Sequence, residues 1–173
     1  MLGICYSSDL DGYIEYEGNL SQEGDCWIGG NAQVYDNAQV YGNAQIFGEA
    51  QIYDEGKVCG NARVFGNAQI FDHGRLSDNV KVYENAHIFG KGWACDNVHI
   101  FGNAQVYGNA RIYNHAHIFD NAKIFGWACD NVHIFGNAQV YGNAQVYGNV
   151  LVYGVAKVSG HACVTGILKL IRK

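Results

Sequence analysis

The chain has no proline, a single methionine and no lysine or arginine before position 57, and only 16% of its residues are charged. Disordered chains show the opposite bias, being charged, proline-rich and poor in aromatic residues. With 13% aromatics among 173 residues, a folded domain with one continuous core is expected. No apolar run approaches ~18 residues, so no membrane span is predicted. Met1–Leu10 lacks a basic segment followed by an apolar stretch, so no secretion signal is predicted either. The six cysteines (Cys5, Cys26, Cys59, Cys95, Cys129, Cys163) form no CxxC pair and no framework spacing. They read as free thiols of a reducing, cytoplasmic compartment.

Charge is unevenly spread. Residues 1–56 carry ten acids and no Lys or Arg (−10), and residues 57–173 carry eleven basic residues and six acids (+5), which together give the net −5. In an elongated molecule this makes one end acidic and the rest mildly basic, a polarity that can steer association.

What is abundant is repetition. From Ile28 an aliphatic residue recurs every six positions: Val34, Val40, Ile46, Ile52, Val58 and onward to Val164, with Ala94 and Ala128 as smaller members. The consensus is Val-Tyr-Gly-Asn-Ala-Gln. On a strand the aliphatic residue and the Ala two places before it share parity and point to one face, while the aromatic and the Gln, His, Arg or Lys flanking it point away. Gly-Asn supplies the turn, because both residues tolerate positive φ. A strand this short must pair with its own copy one coil away. Three six-residue sides close a triangular coil of 18 residues, with parallel strands ~4.8 Å apart. The rungs suffice for seven to eight coils, a rod of roughly 37 Å.

With Val34…Ala38, Val40…Ala44 and Ile100…Ala104, the chain resembles the hexapeptide-repeat left-handed β-helix superfamily over residues 28–165. The resemblance implies an all-β, single-stranded, left-handed parallel β-helix. The left hand comes from the family, since parallel crossovers are otherwise nearly always right-handed. Tyr or Phe follows the aliphatic position here, where family members often carry Gly. Residues 1–27 break the repeat and are expected to form an acidic N-terminal cap, and residues 166–173 a short basic C-terminal cap.

Residues 92–110 and 126–144 share the string GWACDNVHIFGNAQVYGNA, an internal duplication. The copies lie 34 residues apart instead of 36, so the rung Ile124–Trp127 is two residues short and a distorted corner is expected there.

Residues 18 apart stack in columns. On the first side (rungs beginning at Ile28) the outward aromatics are Phe47, Phe65, Tyr83, Phe101, Phe119, Phe135 and Tyr153, and on the second Tyr35, Tyr53, Phe71, Phe89, Tyr107, Phe125 and Tyr141. They serve as cross-strand ladders or as an interface, because so long an aromatic stripe exceeds what monomers usually expose. Phe47 to Phe135 on the first side are the expected oligomer interface of a dimer or trimer, trimers being common in the superfamily. On the third side Lys57, Arg75, Trp93, Arg111 and Trp127 share a column. They form either an internal cation–π pile or a site for a flat or anionic ligand, with a shallow groove between the indoles. His99, His117 and His133 make a column on the first side. Parallel rings do not converge on a tetrahedral point, so they are only weak metal candidates and no metal is assigned.

The superfamily includes CoA-dependent acyltransferases and carbonic anhydrases. The acyltransferases generally place a catalytic His beside a loop leaving the coil, and no rung here carries an insertion. The carbonic anhydrases use a close His pair with a four-residue gap, and no such pair occurs. His115 and His117, one residue apart, have no evident acid–base partner. No catalytic residue and no cofactor is assigned. The expected function is non-enzymatic binding or assembly through flat aromatic faces, with a protein partner or a small anionic ligand, and no direct nucleic-acid binding. Two alternatives stand beside it: a divergent acyltransferase with its site between subunits, and a phage or mobile-element inhibitor. The inhibitor would bind a nucleic-acid-handling enzyme or sequester a small anion. Threonine occurs once, at Thr165, which disfavours the flat threonine ladders of ice binders.

Overall fold

The computed structural model describes residues 12–21 and 23–172, without the side chains of 167–172. From Gln33–Val34 two-residue strands recur every six positions as far as Lys123–Ile124, and again from Trp127–Ala128 to Gln145–Val146. With the longer strands Asn149–Gly154 and Ile167–Arg172 and the short ones at the ends, they assemble into three parallel sheets of nine, eight and nine strands. Each strand pairs with the one a full coil away, as Gln33 and Val34 do with Gln51 and Ile52. The chain is therefore a β-solenoid with three sides and about 18 residues per coil.

Parity decides the core. The aliphatic positions and the small residue two before them are buried from Ala32 to Val158, Val34, Ala38, Ile70, Ile100, Ala104, Ile112 and Val146 among them, while Ile28 and Val164 at the ends are half-buried. Outward Gln, Arg, Lys and His remain exposed or half-buried. Part of the expected N-terminal cap already joins the sheets: Tyr13–Ile14 pairs with Gln33–Val34, and Leu20 bridges Val40. Residues 1–11 and 22 of that segment lie outside the described residues. At the other end, Ile167–Arg172 pairs over six residues with Asn149–Gly154.

The corners differ from the sequence expectation in one respect. Positive φ falls on the Gly position and not on the Asn after it. Nine of these positions hold a non-glycine residue, such as Asp36, Asp72, Glu84, Asp96 and Asp130, at φ between +52° and +66°. An L side chain there costs roughly 1–2 kcal/mol, and a hydrogen bond from the next coil offsets it. Asp72 Oδ2 accepts the Gly90 N–H at 3.2 Å, Glu84 Oε2 the Gly102 N–H at 2.9 Å and Asp130 Oδ2 the Gly148 N–H at 3.0 Å. Such charge-assisted bonds are worth ~1.5–3 kcal/mol. The following Asn residues instead form amide ladders, as Asn43 does to Asn61, Asn61 to Asn79 and Asn79 to Asn97.

The short rung keeps its register on both sides: Lys123 pairs with Gln139, and Arg111 with Trp127. Losing two residues preserves the in–out alternation, which a loss of one would have reversed. The cost is a cut corner. Both Phe125 and Gly126 donate their N–H to the Val140 carbonyl, at 2.7 and 3.2 Å. Gly126 is required there, because a Cβ would sit 2.5 Å from the Ala144 carbonyl oxygen. The Phe125 ring tips over Gly108 and meets Tyr107 at 61° instead of stacking.

Candidate ligand site and aromatic faces

The first-side ladder is continuous. From Phe47 through Phe65, Tyr83, Phe101, Phe119 and Phe135 to Tyr153, successive rings stand 4.7–5.1 Å apart with planes within 3°. It crosses the coil with the cut corner undisturbed, Phe119 to Phe135 being 4.7 Å. The second-side ladder is regular from Tyr35 to Tyr107 and breaks at Phe125. Each ring is half-buried by its neighbours, and such pairs contribute ~0.5–1.5 kcal/mol beyond area burial.

His99, His117 and His133 stack beside the first ladder with centroids 4.8 Å apart. The rings lie over one another and do not converge. Among the described residues, the metal-ligating groups that come together are Asp78, Cys95 and Asp96, within 4.8 Å. Both carboxylates there are already engaged: Asp78 Oδ2 accepts the Asp96 N–H and the Ser77 hydroxyl, and Asp96 Oδ2 the Asn114 N–H and the Cys95 thiol.

Burial lowers the pKa of His117, and His99, His133 and His115 push it the same way; burial and Lys81 lower that of His99. Their folded-state values therefore lie below the unfolded value of 6.5. As pH falls through that value the unfolded chain takes up protons first, so stability is lost on acidification and is present in full above it. Urea melts between neutral pH and about pH 5 should show this loss. His117→Gln, which installs the residue found at Gln45 in the same column, should flatten the profile. An unchanged slope in that variant would contradict the assignment.

On the third side the register aligns Lys57, Arg75, Trp93, Arg111 and Trp127. The Arg111 guanidinium lies 5.5 Å from the Trp93 ring and 5.6 Å from the Trp127 ring, so it fills the space between the indoles where a groove was expected. The indoles are 39% and 41% exposed. Beneath them the inward residues are Ala94 and Ala128 on either side of Ile112.

Two depressions open beside this pile. One of about 280 Å³ is bounded by Trp93, Trp127, Arg111, Cys95, Asp96 and Tyr113. Burial and Asp96 push the Cys95 thiol up to about 12, and a hydrogen bond to Cys129 with burial raises the Tyr113 phenol to about 12. At neutral pH this wall therefore offers S–H and O–H groups and no thiolate nucleophile. The second, of about 570 Å³, shares Trp93 and Arg111 and adds His73, Arg75 and Lys91. His73 and Lys91 belong to no strand column, so the outward strand positions alone do not point to them. Glu55, His73 and Lys91 also lie 18 apart, at the corner next to that column.

Among the described residues, no disulfide joins the cysteines, and Cys59, Cys95, Cys129 and Cys163 carry free thiols. No helix among them is long and apolar enough to cross a membrane. The profile of a family described as YdcK beta solenoid repeat matches residues 32–48, 57–73, 104–118 and 144–155. The chain is thus similar to a β-solenoid repeat family, in agreement with its fold. Trp93 and Trp127 lie outside the matched stretches, and Arg111 within one. Among curated proteins none matches the chain.

Proposed function

We propose that the chain is a non-catalytic assembly protein, a left-handed rod of the hexapeptide type that pairs with a second copy through its first side. The observation that carries this reading is the unbroken Phe47–Tyr153 ladder. Six steps of ~4.8 Å make it roughly 29 Å long, a contiguous aromatic strip of the kind soluble monomers seldom leave to water.

Charge supports an antiparallel arrangement. A two-fold pair lays residues 1–56 of one copy, at −10, along the +5 portion of the other. Arg63 and Lys81, in the strand column beside the ladder, would then approach aromatic rings or acids across the interface. Light scattering on purified protein should give a multiple of 19.0 kDa, with a dimer expected. A monomer persisting at high concentration would leave the ladders as intramolecular supports only. The weak nucleophiles of the third-side wall favour binding over group transfer there.

A further inference from the structure

We propose that the third side binds a free nucleoside phosphate, with its base laid on the Trp93 indole and its phosphate held by Arg75 and Lys91. This is independent of assembly through the first side. The two adjoining depressions differ in character as the two ends of such a ligand do. One is walled by Trp93, Trp127 and Tyr113, and the other is lined by Arg75, Lys91, Arg111 and His73. Trp93 belongs to both. Arg111 covers one face of its indole. Its neighbour across the other face is Arg75, one coil away, and among the described residues no guanidinium of that strand lies over the ring.

The cations are available. Among the described residues the close contact between a basic and an acidic side chain is that of His73 Nδ1 with Glu55 at 3.0 Å, and Arg75, Lys91 and Arg111 have no carboxylate partner. The nearby acids are occupied: Asp72 accepts the Gly90 N–H and Asp96 accepts the Asn114 N–H. Arg75 and Lys91, beside the indole-stacked Arg111, make a local positive field that suits an anionic ligand in a chain of net charge −5. A volume of about 570 Å³ lies within the ~300–1,000 Å³ range of small-molecule sites. Arginine matches phosphate geometry through its fork and lysine contributes a point charge. The flat indole accepts any base, because every base has a π-face.

Calorimetric titration at low salt tests this with five probes: a purine mononucleotide, a pyrimidine mononucleotide, the unphosphorylated nucleoside, inorganic phosphate and a short single-stranded oligonucleotide. Both mononucleotides should bind, and nucleoside or phosphate alone should bind at least ~10-fold more weakly, since each keeps half the contacts. The test variants use residues that occupy equivalent positions elsewhere in the repeat. Arg75→Gln follows Gln39 and Lys91→Asn follows Asn109, so circular dichroism should remain that of the parent. Each should weaken mononucleotide binding by roughly tenfold. Trp93→Gln should bring mononucleotide affinity down to that of phosphate. Absence of heat with millimolar mononucleotide, unchanged affinity in Arg75→Gln and Lys91→Asn, or tighter binding of the oligonucleotide would each overturn the proposal.

Discussion

Replacing Ile112 with alanine should lower the free energy of unfolding by about 4 kcal/mol, near the upper end of the range for buried Ile-to-Ala changes. The reason lies in its neighbours. Ile112 is fully buried, and its partners one coil below and above on the same side are Ala94 and Ala128. Truncation would leave three alanines in succession, with no flexible side chain on that side to lean into the void. The opposing Val106 and Ile118 are β-branched and stiff at χ1, so they cannot reach across. Ile100 is the control. It is equally buried but stands between Val82 and Ile118, whose bulk limits the cavity, so Ile100→Ala should cost only about 2–3 kcal/mol. Urea unfolding of the two variants decides the matter. Equal losses, or a smaller loss at Ile112, would show that the Ala94–Ile112–Ala128 stack is not held apart by its one large residue. Because each coil touches only its neighbours, the defect should also loosen the Trp93–Arg111–Trp127 pile directly outside it.

The core was legible because two periods coincide in it. A six-residue spacing fixes which residues share a column, and alternation along the strand fixes which face they take, so the sequence alone places Val34 and Ala38 inside. The same spacing placed Phe47 over Phe65 and Trp93 over Arg111. What could not be read were the consequences of stacking. Asp72 reads as an ordinary surface acid, and only the coil above brings the Gly90 N–H to its carboxylate. That contact explains how a non-glycine residue holds positive φ there. It also explains why the acids cluster at corners, which composition alone could not suggest.

The short rung shows the same limit. Its two missing residues are plain in the sequence, yet whether the chain turns its corner depends on backbone contacts. Those contacts are the paired N–H groups of Phe125 and Gly126 on one carbonyl and the room that Gly126 leaves beside Ala144. The preserved register is what sets Trp127 against Arg111. The order Trp93, Arg111, Trp127 in the column left two arrangements open, a cation–π pile and a groove between the indoles, and the guanidinium lies between them. The column did not point to the cationic basin, because His73 and Lys91 approach from the corner and not from the strand.

Phe101→Glu should convert the proposed dimer to a monomer, whereas Phe89→Glu should leave its mass unchanged. The two positions are matched in everything except the side they occupy. Phe101 stacks on Tyr83 and Phe119 at 4.9 and 5.0 Å, and Phe89 on Phe71 and Tyr107 at 5.0 and 5.2 Å. Each substitution removes two ring contacts, worth about 1–3 kcal/mol together, so the melting temperatures should fall alike. The masses should not. Phe101 lies midway along the Phe47–Tyr153 ladder, so an antiparallel two-fold pair brings its two copies together at the axis. Two carboxylates facing each other across a desolvated aromatic interface repel, and like-charge juxtaposition of this kind costs several kcal/mol. Light scattering with the two variants at equal concentration separates the effects. Loss of mass in both, or in Phe89→Glu alone, would remove the first side as the interface. Retention in both would mean that the ladder supports its own strands and the copies meet elsewhere.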